Sequence, residues 1–254
     1  MEIPPTDNIH TSAILNQLLG RGDVWVGRAK QAVARNTLSS GIELLDTLLV
    51  GGWPLGSLVE ICLQGTTGAE WILLSKSLAA QGARPIFLLN PPMIPFGPAL
   101  VGMGIDLNRV FVIRTDSKAS FVNAFVELGR ASQCGALLAW QPKESLTYTE
   151  LRKFLLACSE GNGLYSLFRP ASAQRESSPA NLRVAMSVIG SDLKLSIFKQ
   201  RGMLENHDTV VRVGLREVLN GHVPLNHLLE IQLPGIPTPN IRRKFTNVIP
   251  LRRR

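Results

Sequence analysis

The sequence is short of cysteine, of aromatic residues and of long apolar runs. Its three cysteines, Cys62, Cys134 and Cys158, stand far apart in apolar surroundings. That spacing offers neither a metal pair nor a disulfide framework. It suits small buried hydrophobes in a reducing cytoplasm. No run of about 18 apolar residues occurs, so no segment reads as a membrane span. Met1-Glu2-Ile3-Pro4-Pro5 is not a basic stretch leading into an apolar one, so no secretory signal is expected. Histidine is scarce too. His10, His207, His222 and His227 are scattered and read as surface residues. No nucleophile–base pair stands at a useful spacing, and no metal-ligand cluster is visible. The expectation is a chain without metal or other cofactor.

What remains is ample for a core. A chain of 254 residues, 45% hydrophobic, can build one large α/β domain with terminal arms. The net charge of +8 is unevenly placed. Residues 241–254 hold Arg242, Arg243, Lys244, Arg252, Arg253 and Arg254 with no acid, which is +6 and leaves +2 for the rest. Such a tail suits nucleic acid or an acidic partner. Phe245, Val248, Ile249 and Leu251 interleave the charges. A purely solubilising tail has little use for apolar anchors, whereas a segment that folds on a partner does.

The centre of the chain carries a phosphate-loop layout with the wrong residues. An apolar run over 58–63 enters the turn Gln64-Gly65-Thr66-Thr67-Gly68, and a helix-like run over 70–80 follows. A nucleotide-binding loop at this place needs Gly-x-x-x-x-Gly-Lys-Ser/Thr. Taking Gly68 as the last glycine, Ala69 stands at the lysine position, Glu70 at the hydroxyl position and Leu63 at the first glycine. A working loop holds phosphates with backbone N–H groups and lysine, and Mg²⁺ with the hydroxyl. Here the cation is missing and a carboxylate would face phosphate oxygens.

Residues 38–57 precede that loop as a further unit. Ser39 or Ser40 can cap a helix, and Leu44, Leu45, Leu48 and Leu49 fall on one helical face. Gly51 and Gly52 stop the helix and Pro54 prevents its continuation. Downstream, apolar strands alternate with amphipathic helices: strands over 85–90, 110–114, 135–140 and 164–169, helices over 97–106, 117–133 and 146–160. Thr147 and Glu150 form a capping-box pair. Phe121, Ala124, Phe125 and Leu128 share one helix face. Two more strands, 182–188 and 193–200, are expected antiparallel at the sheet end. The alternation predicts a mainly parallel, doubly wound sheet. Three segments divide the chain: a helix and arm over 1–37, with a short amphipathic helix over 9–20; a core over 38–205; and a flexible basic region over 206–254.

Two further catalytic places look empty. The strand over 135–140 should end in an aspartate for Mg²⁺, yet it ends in Ala139 and Trp140. The strand over 86–90 should lead to an acid that orients water, yet Pro91 and Pro92 follow it. Three missing features together argue against ATP hydrolysis.

The 38–57 unit resembles the RecA signature in which a capped helix ends in glycines and returns to the phosphate-loop strand. Val24-Trp25-Val26-Gly27-Arg28-Ala29, the 38–54 unit with Gly51-Gly52-Trp53-Pro54, and the degenerate loop together resemble the ImuA family. Residues 139–151, Glu160-Gly161-Asn162-Gly163 and residues 168–173 also resemble SulA. The likeness covers roughly residues 24–200. It implies a RecA-like fold, antiparallel at one end, with no catalysis. It also implies a cytoplasmic accessory of SOS mutagenesis that binds an inactive, ImuB-type Y-family polymerase homologue. RecA, an error-prone replicative-type polymerase and DNA are further implied partners. A RecA-like mobile loop facing DNA would fall at Arg175, Ser177, Ser178, Asn181 and Arg183. The tail residues Arg242, Arg243, Lys244, Phe245, Ile249, Leu251, Arg252, Arg253 and Arg254 would dock on a partner or DNA. A SulA-like division inhibitor and an unusual RecA-like ATPase are the alternative readings.

Overall fold

The computed structural model describes residues 36–65, 68–189, 192–201, 209–214 and 248–250. The chain divides into two compact units, Met1–Arg35 and Asn36–Arg254. The first unit, with the helix expected over 9–20 and most of the arm, lies outside the described residues.

In the second unit, β1 (Thr37–Leu38) and β2 (Trp53–Pro54) pair antiparallel and bracket the short helix α1 (Glu43–Leu48). The remaining strands form one nine-stranded sheet. They are β3 (Ser57–Leu63), β4 (Ile86–Leu89), β5 (Val110–Arg114), β6 (Ala136–Trp140), β7 (Leu164–Pro170), β8 (Leu182–Ile189), β9 (Asp192–Gln200), β10 (Thr209–Gly214) and β11 (Val248–Pro250). Their order is β10-β9-β8-β3-β7-β6-β4-β5-β11. From β8 to β11 every neighbouring pair is parallel, whereas β9 is antiparallel to both β8 and β10. The helices are α2 (Ala69–Ala79), α3 (Gly97–Gly102), α4 (Lys118–Arg130) and α5 (Tyr148–Glu160).

The central strands read as continuous apolar runs because both faces are covered. Val59, Ile61 and Leu63 of β3 pack with Leu45 of α1, Leu73, Leu74 and Leu78 of α2, and Leu100 of α3. Leu58 on the opposite face joins Phe121 and Phe125 of α4 and Leu151 and Phe154 of α5. Phe125 and Phe154 stack there with ring centroids 4.0 Å apart. Arg109 is buried and closes the end of α2, donating to the Leu78 carbonyl at 2.7 Å and to the Gly82 carbonyl. A cation suits the negative end of a helix.

Several expectations hold with small shifts. Strand 110–114 has the expected bounds, and α4 starts at Lys118 behind its Ser117 cap. The capping box is formed, with Thr147 and Glu150 each satisfying the other's backbone N–H. Others need correcting. Leu44 is 56% exposed, while Leu45 and Leu49 are buried, so the inward face is narrower than the four leucines suggest. Neither Ser39 nor Ser40 caps α1, whose N-cap Ile42 has no side-chain bond. Instead Asp46 reaches back, accepting from Ser39 Oγ at 2.6 Å and from the Ser40 N–H at 2.7 Å. A helix of under two turns gains more from tying its entry loop than from a local cap. The region after residue 205 is not wholly an arm either, because β10 and β11 are drawn from it into the sheet.

Candidate functional site

The β3–loop–α2 unit sits at the edge where parallel strands end, the place where open α/β sheets hold ligands. Gly65 and Gly68 take positive φ of 82° and 74°, and none of the described residues lies within 4 Å of a Cβ built on either. The turn therefore needs glycine for conformation and not for close approach. Thr66 and Thr67 lie outside the described residues. Gly68 is the N-cap of α2 and offers no side chain.

Ala69 and Glu70 follow, both buried. Glu70 is 1% exposed, and its Oε2 has no hydrogen-bond partner among the described residues. The expectation of a carboxylate facing a phosphate is therefore revised, since the group points into the protein. The helix N-terminus favours its negative charge. The missing lysine is not replaced by a cation from α2, whose basic residue, Lys76, donates instead to the Gly41 carbonyl at 3.0 Å.

The neighbouring strand ends carry rings where acids would be needed. Trp140 ends β6 and lies in register with Phe168 of β7, their ring centroids 4.7 Å apart and stacked. Trp71, in the first turn of α2, stands 5.7 Å from Trp140. The three rings form an apolar cap over the strand ends between β6 and α2. Trp140 is buried and its indole N–H has no partner among the described residues, so even that donor is turned inward. At the end of β4, Asn90 is tied to β5. Its Nδ2 donates to Thr115 Oγ1 at 2.8 Å and its Oδ1 accepts from the Thr115 N–H at 2.7 Å. Pro91 behind it is buried. Both ends of the amide are held by Thr115, and a neutral amide stands where a carboxylate would be needed.

The cysteines offer no nucleophile. Burial, then Glu60, pushes the Cys62 thiol up to about 11, and burial pushes Cys134 up to about 12. Cys158 is raised well above its ordinary value, again chiefly by burial. All three stay protonated near neutrality. Among the described residues no cluster of three or more metal-ligating side chains occurs.

A buried ionic cluster stands apart from the loop, and sequence reasoning missed it. Glu60 of β3 is fully buried. Its Oε2 accepts from Arg183 Nε at 2.9 Å and from Arg169 Nη1 at 3.3 Å, and its Oε1 accepts from the Ser178 hydroxyl. Arg169 also donates to Gln141 Oε1 at 2.8 Å and to Glu176 Oε2 at 2.6 Å. Arg183 donates to the carbonyls of Ala173 at 2.7 Å and Glu176 at 3.1 Å, and lies 4.8 Å from the centre of the Phe198 ring. Lys199 donates to the Ser178 carbonyl at 2.6 Å, and its pKa is lowered by burial first and by Arg183 next. The network fastens the β7–β8 crossover, including the 3-10 turn Ala171–Arg175, to the sheet. The one signal in the sequence is Glu60 itself, a lone acid inside an apolar strand.

This cluster takes in part of the segment expected to face DNA. Ser178 and Arg183 are buried in it, and Asn181 donates to Ser57 Oγ at 2.7 Å. These three side chains are engaged within the fold, Ser178 and Arg183 as donors to Glu60 and Asn181 as a donor to Ser57. Arg175 and Ser177 are exposed. Of the tail residues, Ile249 lies in β11, opposite Ile113 of β5, so it is part of the sheet and not of a free arm. Arg242, Arg243, Lys244, Phe245, Leu251, Arg252, Arg253 and Arg254 fall outside the described residues.

The chain matches no protein-family model and no curated protein. Among the described residues no helix is long and apolar enough to cross a membrane.

Proposed function

We propose that this chain is a non-catalytic accessory protein of RecA-like fold, acting by binding partners in mutagenic translesion DNA synthesis. The carrying observation is the Trp71–Trp140–Phe168 ring cluster at the end of the parallel strands. Rings take the place where an Mg²⁺-binding acid would be needed, and they are apolar where a triphosphate needs charge. The inward-turned Glu70 and the clamped Asn90 support the same reading. The reversed β9, next to β8 and two places from the loop strand β3 at one end of an otherwise parallel sheet, supports the RecA-like reading. The partners this reading names are an ImuB-type Y-family polymerase homologue first. RecA, an error-prone replicative-type polymerase and DNA follow.

The test is co-elution with the cognate ImuB-type protein, comparing the full chain with one ending at Asn240. Complex formation by the full chain supports the proposal. Its loss on truncation assigns docking to the basic tail, and its retention assigns docking to the sheet domain. No complex with either form overturns the proposal and favours the SulA-like alternative, which is then tested by inhibition of the division protein's assembly.

A further inference from the structure

The reversed end of the sheet has one side that no helix covers. Along β8, β9 and β10 burial alternates residue by residue. Val184, Met186, Leu193, Leu195 and Val211 pack in the core with Val59 of β3. Their neighbours along each strand point the other way. α4 and α5 cover that other side over β4, β6, β7 and β3, and no residue of β8, β9 or β10 joins their cluster. There Ser187, Lys194, Ser196 and Phe198 are half-buried, and Val210 and Arg212 are exposed.

This open side is cationic. Lys194 stands directly opposite Arg212 on β10 and opposite Ser187 on β8. Like charges facing each other across two strands weaken a sheet. Neither cation has an ion-pair partner among the described residues. Asp192, the one acid on these three strands, stands at the hairpin end of β9 and is itself engaged.

An aromatic ring stands at the other end of the same side. The β8–β9 register shifts between Arg183 and Val184, so Lys199 faces Arg183 and Phe198 is the extra residue. Such a bulge re-aims a side chain. The Arg183 guanidinium lies 4.8 Å from the centre of the Phe198 ring, and Glu60 holds that guanidinium at 2.9 Å. The ring is braced on one face and still half-exposed. Phe198 lies four residues from Lys194, about 13 Å along the strand. Facing cations and a braced ring on a shallow sheet suit a single nucleic-acid strand, the cations for phosphates and the ring for a base. A duplex keeps its bases stacked inside, and an acidic peptide brings no base to the ring.

We propose that the open side of β8, β9 and β10 binds a single DNA strand, with Lys194 and Arg212 on phosphates and Phe198 against a base. The inference rests on the proposed function in naming DNA, and it assigns the contact to sheet residues distinct from the basic tail.

Anisotropy of a labelled oligothymidine, titrated with the full chain over a range of salt, tests this. Lys194→Ser with Arg212→Ser should lower the slope of log affinity against log salt by about 1.4, at ~0.7 for each phosphate contact on a single strand. Phe198→Leu keeps apolar bulk on Arg183 and should weaken binding at least about fivefold with the slope unchanged. Ultraviolet cross-linking of the oligothymidine to the unsubstituted chain should map to the peptide holding Phe198, which reads the site even if a variant folds poorly. Unchanged affinity and slope in the double variant, cross-links only outside β8, β9 and β10, or tighter binding of poly-glutamate than of oligothymidine overturns the proposal. A chain that forms the ImuB-type complex but binds no oligothymidine would sink this inference and leave the proposed function standing. Oligothymidine held on this side with no ImuB-type complex would do the reverse.

Discussion

At Glu60 a single carboxylate holds two guanidinium groups and a hydroxyl inside the protein. Replacing it with alanine leaves Arg183 buried without an acid and Arg169 with only Glu176, which costs about 3–5 kcal/mol. Urea unfolding of Glu60→Ala should show that loss, and a cost below about 1 kcal/mol would mean the cluster is dispensable. Two other acids give a pH dependence. Burial raises the pKa of Asp46, but the Ser39 and Ser40 hydroxyls and backbone N–H groups outweigh it and hold the carboxyl low. Burial likewise raises Glu150, and Thr147 with Lys118, 2.9 Å away, outweighs it. A folded-state pKa below the unfolded value stabilises above the usual carboxylate range, near pH 4. That contribution is lost as pH falls through the folded value. Stability should therefore decline below about pH 4, and a D46N/E150Q double variant should decline less steeply. Parallel urea curves between neutrality and pH 2.5 check this. At this scale the sequence revealed residue types but not partners, since Glu60, Arg169, Ser178 and Arg183 are brought together by strand pairing.

Among the elements, α1 shows how a short helix limits sequence inference. Four leucines at helical spacing suggest one broad apolar face, yet a helix of six residues buries Leu45 and leaves Leu44 in solvent. Leu45→Asp should abolish cooperative folding, because it places an unpaired charge in the core. Leu44→Asp should shift stability by less than about 0.5 kcal/mol, as exposed substitutions do. Thermal unfolding of the pair distinguishes them, and equal losses would mean that both leucines face inward. α5 is the opposite case. Its start was legible because Thr147 and Glu150 form a local motif that needs no tertiary help. Thr147→Ala should cost about 1 kcal/mol by the same measurement. Gly161, just past α5, has a non-local reason for its identity. A Cβ there would stand 2.0 Å from the Tyr165 hydroxyl and 2.4 Å from the Gly129 carbonyl, so alanine must push the α5–β7 turn off the sheet.

For the whole molecule, the sheet gives a loop strand, a following helix and a strand-end surface covered with rings. Calorimetric titration with millimolar ATP and Mg²⁺ should show no binding, and saturable binding would revive the ATPase alternative. The alternation of apolar strands and amphipathic helices fixed the α/β class, because burial on both faces writes itself into composition. Missing lysine, hydroxyl and aspartate at motif spacing were equally plain, because phosphate-loop chemistry depends on local order along the chain. Tertiary structure decided which residues are neighbours. It turned Glu70 inward, set Trp71 beside Trp140, spent Arg183 and Ser178 on Glu60, and carried Ile249 across the sheet to β5. Periodicity reports which side of an element is apolar. Only packing reports what that side meets, because strand order and the partners of a buried charge depend on residues far apart in the chain.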